Sequence, residues 1–112
     1  NFGMIPIACC NTNNFILKNI MLARVFITVP HDTDKNYYDP HIDLEVDHMV
    51  VIYFVNDADG PTVFFDEAGN IIQSVMPKKG RAVMFDGKIK HGGGIPKSGP
   101  RCLVNYDIQI KK

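Results

Sequence analysis

Residues 49–55, MVVIYFV, form an unbroken apolar run of β-branched and aromatic side chains, with Asp47-His48 before it and Asn56-Asp57-Ala58-Asp59-Gly60-Pro61 after it. A run this short, closed by turn formers on both sides, reads as a core strand. The pattern recurs along the rest of the chain: TVFF at Thr62–Phe65, IIQSV at Ile71–Val75, RAVMF at 81–85 and CLVNYDIQI at 102–110. Glu67-Ala68-Gly69-Asn70 and Pro77-Lys78-Lys79-Gly80 supply turns between them. Short strands at even spacing with Gly/Pro turns predict an all-β sandwich or barrel. Toward the N-terminus the signal weakens. Residues 22–29 (LARVFITV) read as a strand, whereas 14–21 fit either a short helix capped by Thr12 or Asn13 or a further strand.

The whole chain has 112 residues, the size of one small domain, and shows no internal repeat, low-complexity segment or linker. Residues 1–112 therefore read as a single domain; its first residue is Asn1, so the domain is expected to begin part-way into a larger one. Twelve basic and twelve acidic residues give zero net charge, which removes the electrostatic footprint of a nucleic-acid or anionic-membrane binder. Seven Pro and nine Gly break the chain too often for a membrane-spanning or coiled-coil helix. Three cysteines, Cys9, Cys10 and Cys102, lack any zinc-site spacing and are expected to be the reduced thiols of a cytoplasmic protein.

Chemistry enters through histidine. His41-Ile42-Asp43 is a His-x-Asp triplet, and on a strand positions i and i+2 face the same side, so imidazole and carboxylate can converge. Alone, such a triplet is a common accident. Downstream, His91 follows the strand at 81–85 and precedes Gly92-Gly93-Gly94, and Arg101 stands at the start of the last strand. Two neutral imidazoles and one carboxylate make the facial triad that holds non-haem Fe(II) and leaves open coordination positions for O2 chemistry. A dicarboxylate cosubstrate such as 2-oxoglutarate, chelating through its keto-acid end, then needs a cation for its far carboxylate, and Arg101 offers a planar bidentate one.

These residues resemble the Fe(II)- and 2-oxoglutarate-dependent dioxygenases, in particular the prolyl-4-hydroxylase-like branch and its short marine phage and bacterial members. The resemblance rests on Tyr38-Asp39-Pro40-His41-Ile42-Asp43, MVVIYFVND, GPTVFF at 60–65, PKKGRAVMFD at 77–86, His91 and Arg101, and spans about residues 22–110. It implies a double-stranded β-helix, or jelly roll, with metal ligands His41, Asp43 and His91. It further implies that Arg101 anchors 2-oxoglutarate and that Tyr38 stands near the mouth of the site. The cofactors so implied are Fe(2+), 2-oxoglutarate and O2, with ascorbate as an accessory reductant. Where the family commonly has a Tyr bound to 2-oxoglutarate, this chain places Phe54, with Tyr53 on the opposite strand face. Either Thr62 or another hydroxyl replaces that contact, or the register differs by one.

Leu103 and Asn105 share the strand parity of Arg101 and are candidates to line the cosubstrate pocket, although barrel filling also accounts for Leu103. His31 and His48, each beside an acid, are expected to be solvated. Lys88, Lys90 and Lys97 read as a solvated rim, and the triglycine run lacks the strand-to-helix context of a phosphate loop. The activity implied by the resemblance is hydroxylation of a C–H bond, proline in a protein or peptide first, with no side-chain general base and with release of succinate and CO2. Two alternatives remain: an inactive structural jelly roll, and a nucleic-acid oxidative demethylase, which zero net charge disfavours. No membrane partner is expected, and an exposed apolar face on a shortened barrel would favour a homodimer.

Overall fold

A computed structural model of the protein describes residues 3–111. Its element order is α1 (Met4–Thr12), β1 (Leu17–Thr28), β2 (Met49–Phe54), β3 (Thr62–Phe65), β4 (Ile71–Val75), β5 (Ala82–Asp86), β6 (Lys90–Gly92) and β7 (Arg101–Ile110). The strands form two antiparallel sheets, β1-β7-β2-β5 and β4-β3-β6, which face each other as a jelly roll.

The continuous apolar run of β2 follows from its place between two partners with both faces covered. Val50, Ile52 and Phe54 point inward and pack with Phe64, Phe85 and Leu103 between the sheets. Val51 points outward and packs with Val104, Tyr106, Ile108 and Cys10 beneath α1. A strand buried on both sides has no reason to alternate. Val55 lies beyond the strand and is exposed.

The N-terminal third departs from expectation. Residues 17–21 are strand, continuous with the one expected at 22–29, and the helix lies earlier, at Met4–Thr12. The polar cluster Asn11-Thr12-Asn13-Asn14 closes a helix instead of opening one. The Thr12 hydroxyl donates to the Ala8 carbonyl (2.9 Å), the Asn13 amide donates to the Cys9 carbonyl (2.8 Å), and Asn14 takes φ +61°. Asparagine in a left-handed turn is a helix stop as readily as a start, which is why the cluster reads both ways. β1 is an edge strand paired with β7, and two register shifts, before Asn19 and before Leu22, each move the pairing by one residue and so cancel in parity.

The triglycine run has a packing role. Segment 36–41 is laced to the chain around β6: the Tyr38 amide donates to the Gly93 carbonyl (2.8 Å), the Ile95 amide to Asn36 (2.9 Å), and His41 and His91 exchange both backbone bonds (3.0 Å each). A Cβ on Gly92 would overlap the Tyr38 carbonyl, and one on Gly94 would overlap the backbone of Gly60 and Pro61. Glycine at these positions lets three stretches of backbone meet.

Candidate metal centre

Those backbone bonds decide where the imidazoles go. His41 and His91 are directly opposed, and their ring centroids lie 4.6 Å apart. Each ring places Nδ1 on a backbone carbonyl two residues upstream, Asp39 at 3.3 Å and Ile89 at 3.2 Å. An Nδ1–H donated to a carbonyl leaves Nε2 with a free lone pair, the state a metal needs. Both Nε2 atoms converge on Asp43 Oδ1, at 3.2 Å from His41 and 3.4 Å from His91. One donor atom from each of the three side chains lies within 4.8 Å of the others. His91 is buried against Phe85 and Phe64, and His41 faces solvent at the mouth. Two imidazole nitrogens and a carboxylate oxygen on one side of a cavity fit a divalent metal with positions left open.

The electrostatics follow from the packing. Burial would raise the Asp43 carboxyl, but in the metal-free protein hydrogen bonds from His41 and His91, whose Nε2 hydrogens a metal would replace, overcome it and hold the group well below the usual carboxylate range. The same contact with Asp43 raises His41. Asp107, which the sequence reading passed over, lies wholly buried beside this pair. Burial, with Asp43 close by, pushes it up to about 7. Of two adjacent carboxyls in a dry site, one keeps a proton.

This has a consequence for the metal-free protein. The folded state holds a proton on Asp107 that the unfolded chain releases near its ordinary 3.8. Stability from this group therefore falls as pH rises from about 4 to about 7 and is level above that. Asp107→Asn is expected to flatten that slope, as read from urea midpoints at pH 5 and 8. A slope unchanged in the variant would place the proton elsewhere.

A cavity of about 480 Å³ opens between the sheets, with His41, Asp43 and His91 on one wall and Arg101, Thr62 and Leu103 among its other lining residues. Arg101 is buried at 3% exposure. Its Nε donates to the Gly60 carbonyl (2.8 Å) and an Nη donates to the Thr62 hydroxyl (2.6 Å). No acidic group among the described residues pairs with it, and burial lowers it to about 10, so it stays charged at neutral pH.

Phe54 points inward, its ring 5.7 Å from the Arg101 guanidinium, and Tyr53 packs on the outer face. The strand parity is therefore the one that puts Phe, and not Tyr, inside. The Thr62 hydroxyl accepts from Arg101 and keeps its own O–H to donate. Leu103 belongs to the inner core, and the Asn105 amide donates to Asp43 Oδ2 (3.1 Å). Tyr38 lines the mouth, half-exposed, and stacks loosely on His31.

Two expectations need correction. His48 is buried, not solvated: it fills the space left by Gly87, places Nδ1 on the Val46 carbonyl at 2.7 Å, and has its Nε2 3.9 Å from Asp107. Lys97 is not a free rim charge, because its ammonium donates to the carbonyls of Lys35 (2.9 Å) and Thr33 (3.5 Å) and ties down that loop. Arg24, Phe26 and Thr28 of β1 also line the cavity and were not anticipated. For Asp107 the signal was available, since 101, 103, 105 and 107 share one face of β7. For β1 the pairing with β7 that sets these side chains in the cavity is not marked in composition.

The sequence matches no protein-family model and no curated protein. Among solved structures, the fold is similar to that of a crystal structure of a Pseudomonas putida prolyl-4-hydroxylase, with a TM-score of 0.67 and 17% sequence identity. The match covers 98% of this chain and 63% of that one. The chain thus spans less than two thirds of the length of the structure it resembles, and the likeness is one of fold. No helix among the described residues is long and apolar enough to cross a membrane.

Proposed function

We propose that the protein is an Fe(II)- and 2-oxoglutarate-dependent dioxygenase that hydroxylates a C–H bond in a protein or peptide side chain, proline first, with release of succinate and CO2. The observation that carries this reading is Arg101, a desolvated cation with no acid to pair with among the described residues, lining the same cavity as the His-Asp-His cluster. An unpaired buried charge is costly, and a carboxylate entering the cavity would offset that cost. One end of a dicarboxylate would meet Arg101 and Thr62, leaving its keto-acid end for the metal. Iron held by His41, Asp43 and His91 would supply the oxygen activation, with O2 as oxidant and ascorbate as an accessory reductant.

The chain's own part is positioning and exclusion of water. The carbonyls of Asp39 and Ile89 orient the two imidazoles. Phe54 and Leu103 make the inner wall beside Arg101 apolar, which strengthens its hold on an anion. At the mouth Phe26 and Tyr38, each 43% exposed, offer two aromatic surfaces suited to an apolar, ring-shaped side chain. The likeness in fold to a prolyl-4-hydroxylase supports the same substrate class.

Anaerobic addition of Fe(II) and 2-oxoglutarate is expected to produce a visible metal-to-ligand charge-transfer band. Arg101→Gln is expected to raise the 2-oxoglutarate needed for half the band by about 30-fold or more, the cost of removing one partner of a buried charge pair. Absence of a band in folded wild type would sink the reading. Unchanged 2-oxoglutarate dependence in the variant would remove Arg101 from the site.

A further inference from the structure

We infer that Asn105 and Arg24 form a latch on the second oxygen of Asp43, so that this carboxylate offers a metal one oxygen and not two. The inference rests on the metal-centre reading above and concerns how many positions that centre leaves free.

The two oxygens of Asp43 live in different surroundings. Oδ1 faces both imidazoles, at 3.2 and 3.4 Å. Oδ2 is turned away, accepting a hydrogen bond from Asn105 Nδ2 at 3.1 Å with an Arg24 Nη at 4.0 Å. Arg24 and Asn105 are directly paired residues of β1 and β7, so a single rung of the sheet presents both to the same oxygen. Asp107 braces the arrangement from behind. It is wholly buried, with Oδ2 3.7 Å from the same Arg24 Nη and Oδ1 3.5 Å from Asn105 Nδ2. The Arg24 guanidinium also lies over the Phe26 ring at 5.3 Å, which limits its swing.

Carboxylates bind divalent metals through one oxygen or two. In a six-coordinate centre with two imidazoles, a one-oxygen Asp43 leaves three positions: two for a chelating keto acid and one for O2. A two-oxygen Asp43 leaves two, and the chelate would fill both. Rotating Oδ2 onto the metal would strip it of its bond from Asn105 and of the nearby Arg24 charge, and a charge-assisted hydrogen bond is the stronger kind to lose. Asn105 and Arg24 are on this account positioning residues, acting through Asp43.

Cobalt(II) replaces iron in the test, because its visible spectrum reports coordination without turnover. Wild type, Asn105→Ala, Arg24→Met and the double variant are titrated with Co(II). Each Co(II)-loaded protein is then titrated with 2-oxoglutarate, which needs two positions, and separately with azide, which needs one. The double variant is expected to hold Co(II) and azide within about threefold of wild type. Its 2-oxoglutarate affinity is expected to fall by about tenfold or more. Equal 2-oxoglutarate affinity in all four proteins would overturn the latch. A parallel loss of azide would also overturn it, by showing that Arg24 acts on anions through charge alone. Parallel loss of Co(II) affinity and thermal stability would reduce the rung to packing. Wild type that takes up no Co(II) would instead remove the metal reading beneath it.

Discussion

His91→Ala is expected to abolish divalent-metal binding while leaving the barrel folded. His91 is one of three converging donors and the more enclosed of the two imidazoles, held edge-on to Phe85 at 4.9 Å with its Nε2 3.4 Å from Asp43. Two remaining donors, one of them the solvent-facing His41, do not make a facial site. The backbone bonds that tie residue 91 to residue 41 do not depend on the side chain, so the strand pairing survives. Thermal melting separates the two effects. At metal concentrations near 100 times Kd, wild type gains about 2.7 kcal/mol by mass action, or a rise in melting temperature of roughly 10 °C. The variant is expected to gain nothing from metal. If both proteins rise by the same amount with Co(II) or Fe(II) under anaerobic conditions, the metal sits elsewhere.

Gly94→Ala is expected to cost the protein its fold or most of its stability. The added methyl has nowhere to go, because the atoms it would meet are backbone atoms of Gly60 and Pro61 and not the ends of mobile side chains. Gly60 is itself held at φ +86°, with the backbone of Gly94 and Ile95 3.1 Å from where its own Cβ would stand, so it cannot retreat. Separating these segments would open the turn whose Gly60 carbonyl receives Arg101. A loss above about 4 kcal/mol is the expectation, at the extreme of single substitutions. Gly99→Ala is the control: its Cβ would meet nothing within 4 Å, and the urea midpoint is expected to stay near wild type. A Gly94→Ala midpoint within about 1 kcal/mol of wild type would show that the contact yields.

What could be read from the sequence follows local chemistry. β2, β3 and β4 stand within one residue of expectation because apolar runs and turn residues mark their ends without help from elsewhere. β5 is displaced by one residue and β7 begins one residue earlier, at Arg101, as strand ends are where turn and ladder compete. His41, Asp43 and His91 were proposed together from an i, i+2 spacing and a strand-end position, and the fold brings them within 4.8 Å. β6 was not foreseen, since three residues ending in glycine carry no strand pattern, and its pairing is imposed by β3 and by segment 36–41. Arg24 was missed for a different reason. Its approach to Asp43 depends on which strand β1 pairs with, and the Arg24–Asn105 pairing leaves no mark in composition.

The paired backbone bonds of His41 and His91 close a loop of fifty residues without a covalent link. A metal bound across the two imidazoles and Asp43 would act there as a removable crosslink, restricting the open chain as a disulfide does but at a strength set by concentration. Metal scarcity would then be felt first as a shorter lifetime of the chain, because proteases act on the fraction that has come open. Abundance and oxygen chemistry would be governed by the same three side chains.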